Sequence, residues 1–430
     1  MWSNFLDFVF KHTPVFYLIQ SVWRDEAFSY FMAKPNIFQV IVNTAHDFNP
    51  PLYYLVLHFW MKFVGLSDVG LRLISFFPHL LSVYIAYCLG KKLTSGKFAY
   101  FIAGFTLLNP MLLYYSFEMR MYSLFSLFTI CSLYFLLIKN WKWYILTTTL
   151  GLYTHSFFPL IIVVYLLYFL KSHQMRKKNI FCLLAPFIFY LPWLPILANQ
   201  FLHSQNSWIY PVDFQLIKSV LGNLFTSYEG TPGNLWPHTT ILSGFILLFL
   251  ILAIRRKKKE INLILSLIFL PLLLILTYSI LKRSIYVNRY LIFITVYEIL
   301  GISLGIYTLK NKVLRWSVMS IWLFYIVYLN LFLSPYHAKT DFKSTFIEIN
   351  KIARSDDFVY SETPISFLES TYYYKFPNKV FIYNPDDISI PYYIGISVVF
   401  SDISKTTLPQ AYSKTFFIKD NAEYEIRFAI

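Results

Sequence analysis

The chain has 430 residues, 57% of them hydrophobic and 21% aromatic, with only 14% charged. That apolar share excludes an ordinary soluble globular domain. The net charge of +15 does not indicate a nucleic-acid partner, because Lys and Arg fall mainly in short loops between apolar runs; the expected partner is the lipid bilayer.

The first apolar run, Phe5–Val22, is broken by Asp7, Lys11, His12 and Pro14. It lacks the basic leader and small-residue cleavage site of a signal peptide. "WRDEAF" follows, placing Asp25 and Glu26 together in a chain with only 22 acids. "AHDFNPPLYY" then brings His46, Asp47 and Asn49 ahead of Pro50 and Pro51. A helix over Pro51–Val64 would be about 21 Å long, short of the roughly 30 Å hydrocarbon core. It is expected to lie on the outer face, with Tyr53, Tyr54, Phe59 and Trp60 at the interface.

Spans are expected over Leu71–Gly90, Phe98–Tyr115 and Met121–Ile138. The run Trp143–Leu170 is long for one span and short for two, and Gly151, His155 and Pro159 interrupt it. Basic loops flank both of its ends, so two short helices with a turn at Thr154–His155 satisfy the charge pattern, and one long helix does not. Ile180–Ala198 follows, then a long loop, Asn199–Pro237. Thr240–Ile254, Ile261–Leu281, Tyr290–Leu309 and Val313–Leu333 complete about eleven spans. Short basic loops remain cytoplasmic. The loops holding Lys91, Lys92 and Lys97, Lys139 and Lys142, Lys171 to Lys178, Arg255–Lys259 and Lys310 to Arg315 therefore set the N-terminus inside and the C-terminus outside.

The expected architecture is a mainly α, polytopic membrane helix bundle over residues 1–333, followed by a small extracytoplasmic α+β domain over 334–430. In that domain "DFKSTFIEINKIARSDDFVYSE" predicts a helix, a turn and a strand. "KVFIYNP", "ISVVFS" and "YEIRFAI" predict further strands. Cys88, Cys131 and Cys182 lie in apolar runs and are expected to pack as small hydrophobes, without disulfide or zinc spacing.

This topology puts the unusual polar groups on the outer side: Asp25 and Glu26; His46 and Asp47; Glu118, Arg120 and Tyr122 in "YYSFEMRMYSL"; His155; and Lys282, Arg283, Arg289 and Tyr290 in "KRSIYVNRYLIF". Each has an ordinary explanation. Acids suit helix N-termini. Lys282 and Arg283 suit interfacial anchoring. His155 suits a hydrogen-bonded place in the bundle, and His46 a helix cap. Together, in order and on one face, they favour a functional site, since ionisable groups at membrane depth are costly.

These stretches, with "HDFNPPLYYLVLHFWMKFVGLSDVGLRLIS", "GLYTHSF" and "NRYLIF", resemble the lipid-linked-sugar glycosyltransferases of the GT-C fold. The likeness is to glycosyltransferase family 39, a group that includes protein O-mannosyltransferases and the lipid A aminoarabinose transferase. It covers nearly the whole membrane part; residues 334–430 carry no matching motif.

The resemblance implies a multi-pass enzyme of the bacterial inner membrane, with its active site on the extracytoplasmic face. It would take a hexosyl or pentosyl group from a polyprenyl-phosphate donor and pass it, with inversion, to a glycan, lipid or protein acceptor. By motif position Asp25 is the base and Glu26 its helper or a sugar contact. Asp47 would orient the acceptor or, with His155, bind a divalent metal ion. Glu118, Arg120 and Tyr122 match the second-turn motif. Arg120 and Arg289 are phosphate candidates, with His46 and Tyr290 as further substrate contacts. A glycan polymerase or ligase with a diphosphate-linked donor calls for arginines in large outer loops, and Asn199–Pro237 holds Lys218 alone of Lys and Arg. A lipid-linked-glycan transporter calls for internal repeats, and none is visible.

Overall fold

The structure, a computed structural model, describes residues 2–171, 177–203, 208–409 and 414–428. Among these, six helices are long and apolar enough to cross a membrane: Asp68–Leu93, Lys177–Leu202, Gly233–Ile254, Lys259–Leu281, Asn288–Tyr307 and Lys312–His337. A bent pair, Gly96–Leu108 and Pro110–Ser116, turns through 57° at its break. Tyr122–Leu137 and Phe158–Lys171 are shorter apolar helices. The chain is a multi-pass membrane protein.

The breaks have local causes. Asn109 caps the second half of the bent pair, its side chain accepting from Leu112 N at 3.1 Å, and Pro110 takes the first helical position. The run Trp143–Leu170 divides as expected, into Trp141–Leu152 and Phe158–Lys171. The first run is not one helix: it divides into Trp2–His12 and Val15–Ile19 around Thr13 and Pro14. Leu52–Val64 is the expected 13-residue helix.

By internal contacts the chain forms two compact units. The first comprises residues 1–16, 49–53 and 72–336. Its centre is the helix Ile292–Tyr307, buried over almost its whole length. Helices of this unit approach one another closely where glycine removes the side chain. A Cβ on Gly305 would stand 2.0 Å from the Phe249 carbonyl oxygen, and one on Gly222 2.1 Å from that of Thr239. Small residues at such crossings let backbones pack by van der Waals contact, the main attraction between helices in lipid. Cys131 and Cys182 are buried here, and Cys88 is half-buried.

The second unit joins residues 337–430 to two N-terminal stretches, 17–48 and 54–71. The first of these, expected as loop, holds the helices Arg24–Ala33 and Ile37–Ala45. The strands are β1 (Phe358–Ser361), β2 (Val380–Tyr383), β3 (Ser404–Lys405), β4 (Lys414–Ile418) and β5 (Tyr424–Phe428), in the order β3-β2-β1-β4-β5. β1 pairs in parallel with both β2 and β4, β2 with β3, and only β4–β5 is antiparallel. The helix Pro364–Tyr373 supplies the crossover from β1 to β2 that a parallel pair needs. The expected helix Phe342–Ile352 and the strands β1, β2 and β5 are present. "ISVVFS" is not a strand: Ile396–Val399 is a short helix entered through Gly395 at φ +78°. That conformation favours glycine and turns the chain out of an extended run.

Candidate active site

In the second unit, the helix Arg24–Ala33 starts after the extended residue Trp23, with Asp25 and Glu26 in its first turn. The two acids have different surroundings. Glu26 is fully buried. Its Oε2 accepts from Trp23 N at 3.4 Å, closing the helix end from inside, and lies 3.0 Å from Lys339 Nζ. The Lys339 ammonium also sits over the Trp23 ring, 5.3 Å from its centroid, while its backbone N–H donates to Gln20 Oε1 at 3.0 Å. Glu26 is thus both a helix cap and half of a buried ion pair. Asp25 is the more exposed acid, its side chain 18% accessible, with Arg24 Nε 3.6 Å from Oδ1.

A third carboxyl joins this helix from the C-terminal stretch. Pro364–Tyr373 packs on Arg24–Ala33 and carries Glu369, which is buried. Burial pushes the Glu369 carboxyl up to about 8; the Arg24 guanidinium and backbone N–H pull against the rise, and the Asp25 charge adds to it. Asp68 anchors the stretch 54–71 to the same region. It accepts from Lys343 Nζ at 2.8 Å, Tyr372 Oη at 3.0 Å and Tyr373 Oη at 3.2 Å.

His46 ends the helix Ile37–Ala45 and is exposed. Its Nδ1 bonds back to the Val42 carbonyl at 2.9 Å, and its own carbonyl accepts from the Tyr392 hydroxyl. Asp47 is buried. The Tyr392 phenol is raised by burial and then by the Asp47 charge.

In the first unit, Glu118, Arg120 and Tyr122 form a tight buried turn, with Arg120 N donating to Glu118 O at 2.7 Å. The Arg120 guanidinium faces the Tyr122 ring at 5.8 Å, and the Arg120 carbonyl accepts from Ser75 Oγ at 3.2 Å. His155 sits in the break between Trp141–Leu152 and Phe158–Lys171, stacked on Phe125 at 4.5 Å and 3°. The Tyr122 and Tyr290 rings lie 6.2 and 5.6 Å from it. Tyr290 in turn lies 5.8 Å from the guanidinium of Arg289. Two arginines therefore stand at the ends of an aromatic series, Arg120–Tyr122–His155–Tyr290–Arg289.

Backbone N–H of Phe157 donates to His155 Nδ1 at 3.1 Å. That bond assigns the bare nitrogen to Nδ1 and the proton to Nε2. Nε2 is buried and has no hydrogen-bond partner among the described residues. It presents an N–H, which suits a phosphate or sugar oxygen; a metal ion needs a lone pair instead. Asp47 and His155 belong to different units, and among the described residues no three His, Cys, Asp or Glu side chains are grouped to hold a metal ion.

Arg289 is buried and takes a partner the sequence did not suggest. Its Nη1 lies 3.0 and 3.2 Å from the two carboxylate oxygens of Glu229, and its guanidinium also faces the Trp208 ring at 5.3 Å. The turn is tied at its base by Asn288 Nδ2 donating to the Tyr228 carbonyl and Tyr286 Oη donating to Asn288 Oδ1 at 2.6 Å. Sequence reasoning missed Glu229, Lys339 and Glu369 because their partners lie 60 residues away or more.

No family model matches the chain, and no curated protein matches it significantly. Solved structures do, among them two of ArnT from Cupriavidus metallidurans, a lipid A aminoarabinose transferase of the GT-C fold. The apo form aligns with a TM-score of 0.59 at 12% identity, over 85% of this chain and 82% of that one. The form bound to undecaprenyl phosphate aligns at 0.58 and 12% identity, over 90% and 86%. The chain has the GT-C fold.

Proposed function

We propose that this protein is a membrane glycosyltransferase that moves a sugar from a polyprenyl-phosphate donor to a hydroxyl acceptor outside the cytoplasm, with inversion. The observation that supports this most is the fold shared along nine-tenths of the chain with a transferase crystallised with undecaprenyl phosphate. The location that goes with it is the bacterial inner membrane, with the basic loops cytoplasmic and residues 334–430 an extracytoplasmic domain.

The roles follow from chemistry each group can perform. Asp25, the less buried acid of the pair, is the base. It takes the proton of the acceptor hydroxyl as that oxygen bonds the anomeric carbon. The bond from that carbon to the lipid phosphate breaks, and its electron pair leaves with the phosphate. Arg120 and Arg289 stabilise the charge on the leaving group, and the Nε2–H of His155 supplies a further donor. Glu118, Tyr122 and Tyr290 line the sugar and phosphate seat, and His46 and Asp47 the acceptor side. Glu26 acts through Asp25: it fixes the helix end that carries the base.

The test is donor profiling. Purified protein is offered polyprenyl phosphates carrying different hexoses and pentoses, with candidate acceptors, and products are resolved by mass. Transfer from a monophosphate donor that is lost in Asp25→Asn supports the reading. Turnover only with diphosphate-linked donors would replace it with the polymerase or ligase reading.

A further inference from the structure

We propose that Glu229 is a built-in occupant of the phosphate seat at Arg289, which the lipid-linked phosphate must displace, so that Glu229 sets the affinity for donor and lipid product. This rests on the reading of Arg289 as a phosphate ligand.

The pair is asymmetric. The Arg289 side chain is 7% exposed, whereas that of Glu229 is 43% exposed. A guanidinium removed from water needs a permanent anionic or hydrogen-bonding partner. A carboxylate nearly half in water does not, because solvent can replace its partner at little cost. The pair is therefore easily broken from the Glu229 side and not from the Arg289 side.

The remaining geometry agrees. Arg289 also faces the Trp208 and Tyr290 rings, 5.3 and 5.8 Å from their centroids, contacts that do not depend on Glu229. Both oxygens of Glu229 meet one guanidinium nitrogen, using donor capacity that a phosphate would also use. Glu229 lies beyond the helix Phe214–Thr226, between Ser227 at φ +65° and Gly230 at φ +97°. The glycine gives the turn a conformational freedom that other residues lack. Tyr115, edge-on to Tyr122 at 4.8 Å, has Glu118, Glu229 and Arg289 among its charged neighbours. The Glu229 carboxylate therefore adds negative charge where a phosphate is to bind, and like charges oppose binding until one moves away.

A seat shared by an internal and an external anion lowers apparent affinity by the fraction of time the internal one holds it. The experiment measures binding of a short-chain polyprenyl phosphate to the full-length protein in detergent, with the uncharged polyprenol as control. Wild type, Glu229→Gln, Glu229→Ala and Arg289→Ala are compared. The expected result is tighter phosphate binding in both Glu229 variants, on the order of tenfold, weaker binding in Arg289→Ala, and no change for the polyprenol. The inhibition constant of the lipid phosphate as product should fall in parallel in the Glu229 variants. If Arg289→Ala weakens binding while both Glu229 variants bind as wild type or worse, Glu229 is a structural partner and the inference fails, with the phosphate reading intact. If Arg289→Ala leaves binding unchanged, the phosphate reading of Arg289 fails and this inference fails with it.

Discussion

Lys339 Nζ stands 3.0 Å from Glu26 Oε2, and both side chains are almost wholly withdrawn from water. The residues are 313 positions apart in the chain, so the contact ties the start of the helix Arg24–Ala33 to the C-terminal part of its own unit. The resemblance implied a helper or sugar contact at Glu26; its burial gives it a structural role as well. Breaking a buried pair by removing one partner costs about 3–5 kcal/mol, because the other charge stays behind. Glu26→Gln should therefore lower the melting temperature markedly, while Glu26→Gln with Lys339→Met should recover much of the loss. Melting curves for the single and double variants check this, and equal melting of Glu26→Gln and wild type would count against it.

Asp25→Asn should behave in the opposite way. The amide keeps the shape of the carboxylate but cannot take a proton at neutral pH. Loss of general base catalysis costs about 10²–10⁴-fold in rate. The Asp25 side chain is partly exposed, with Arg24 Nε 3.6 Å away, and Asn keeps its size and polarity, so melting should change less than in Glu26→Gln. Turnover, donor binding and melting are measured on the same preparation. A folded Asp25→Asn protein that binds donor and turns over normally would remove Asp25 from the mechanism.

What the sequence showed and what it hid divide along chain separation. The break at Gly151–Pro159 was legible because charge on both flanks required an even number of crossings. The exclusion of a soluble fold and the positions of the apolar helices were legible from hydropathy alone. The pair of acids in "WRDEAF" was visible as a pair, but its division of labour was not. Whether an acid caps, pairs or faces solvent depends on Lys339 and Glu369, which no local window contains. The strand expected at "ISVVFS" failed for a local reason: a β-branched run was weighed without the preceding glycine. The helix Pro364–Tyr373 was missed although Thr363 and Pro364 form a readable start, with Thr363 Oγ1 accepting from Ile365 N at 3.0 Å.

Membrane sidedness gives a third test. Asn234 and Glu423 are exposed and lie in segments assigned to the outside, while Ser95 and Lys310 are exposed in basic loops assigned to the cytoplasm. Single cysteines at these four positions, in a background where Cys88, Cys131 and Cys182 are replaced by Ser, are treated on intact cells with a membrane-impermeant maleimide. Asn234→Cys and Glu423→Cys should label, and Ser95→Cys and Lys310→Cys should label only after the cells are opened. Labelling of Ser95→Cys from outside would mean that Leu52–Val64 crosses the bilayer, and the assignment of polar turns to one face would be lost.

The last prediction concerns pH and Glu369. Its carboxyl is raised from 4.5 to about 8, chiefly by burial. Between those values the folded chain keeps a proton that the unfolded chain releases, so stability falls as pH rises. The contribution is fully present below about 4.5, declines through the neutral range, and is gone above about 8. Its full size is at most about 5 kcal/mol, since each tenfold change in proton affinity is worth about 1.4 kcal/mol. Glu369→Gln keeps a neutral, hydrogen-bonding side chain at every pH and should remove this slope. The two proteins should melt at similar temperatures near pH 5, and the variant should melt higher at pH 8.5. The Asp25 charge opposes ionisation of Glu369. In Asp25→Asn that opposition is absent, so Glu369 should release its proton earlier and the decline in stability should end at a lower pH than in wild type. Melting curves from pH 5 to 9 decide the matter: parallel profiles for wild type and Glu369→Gln would show that Glu369 ionises in the folded protein as it does in water.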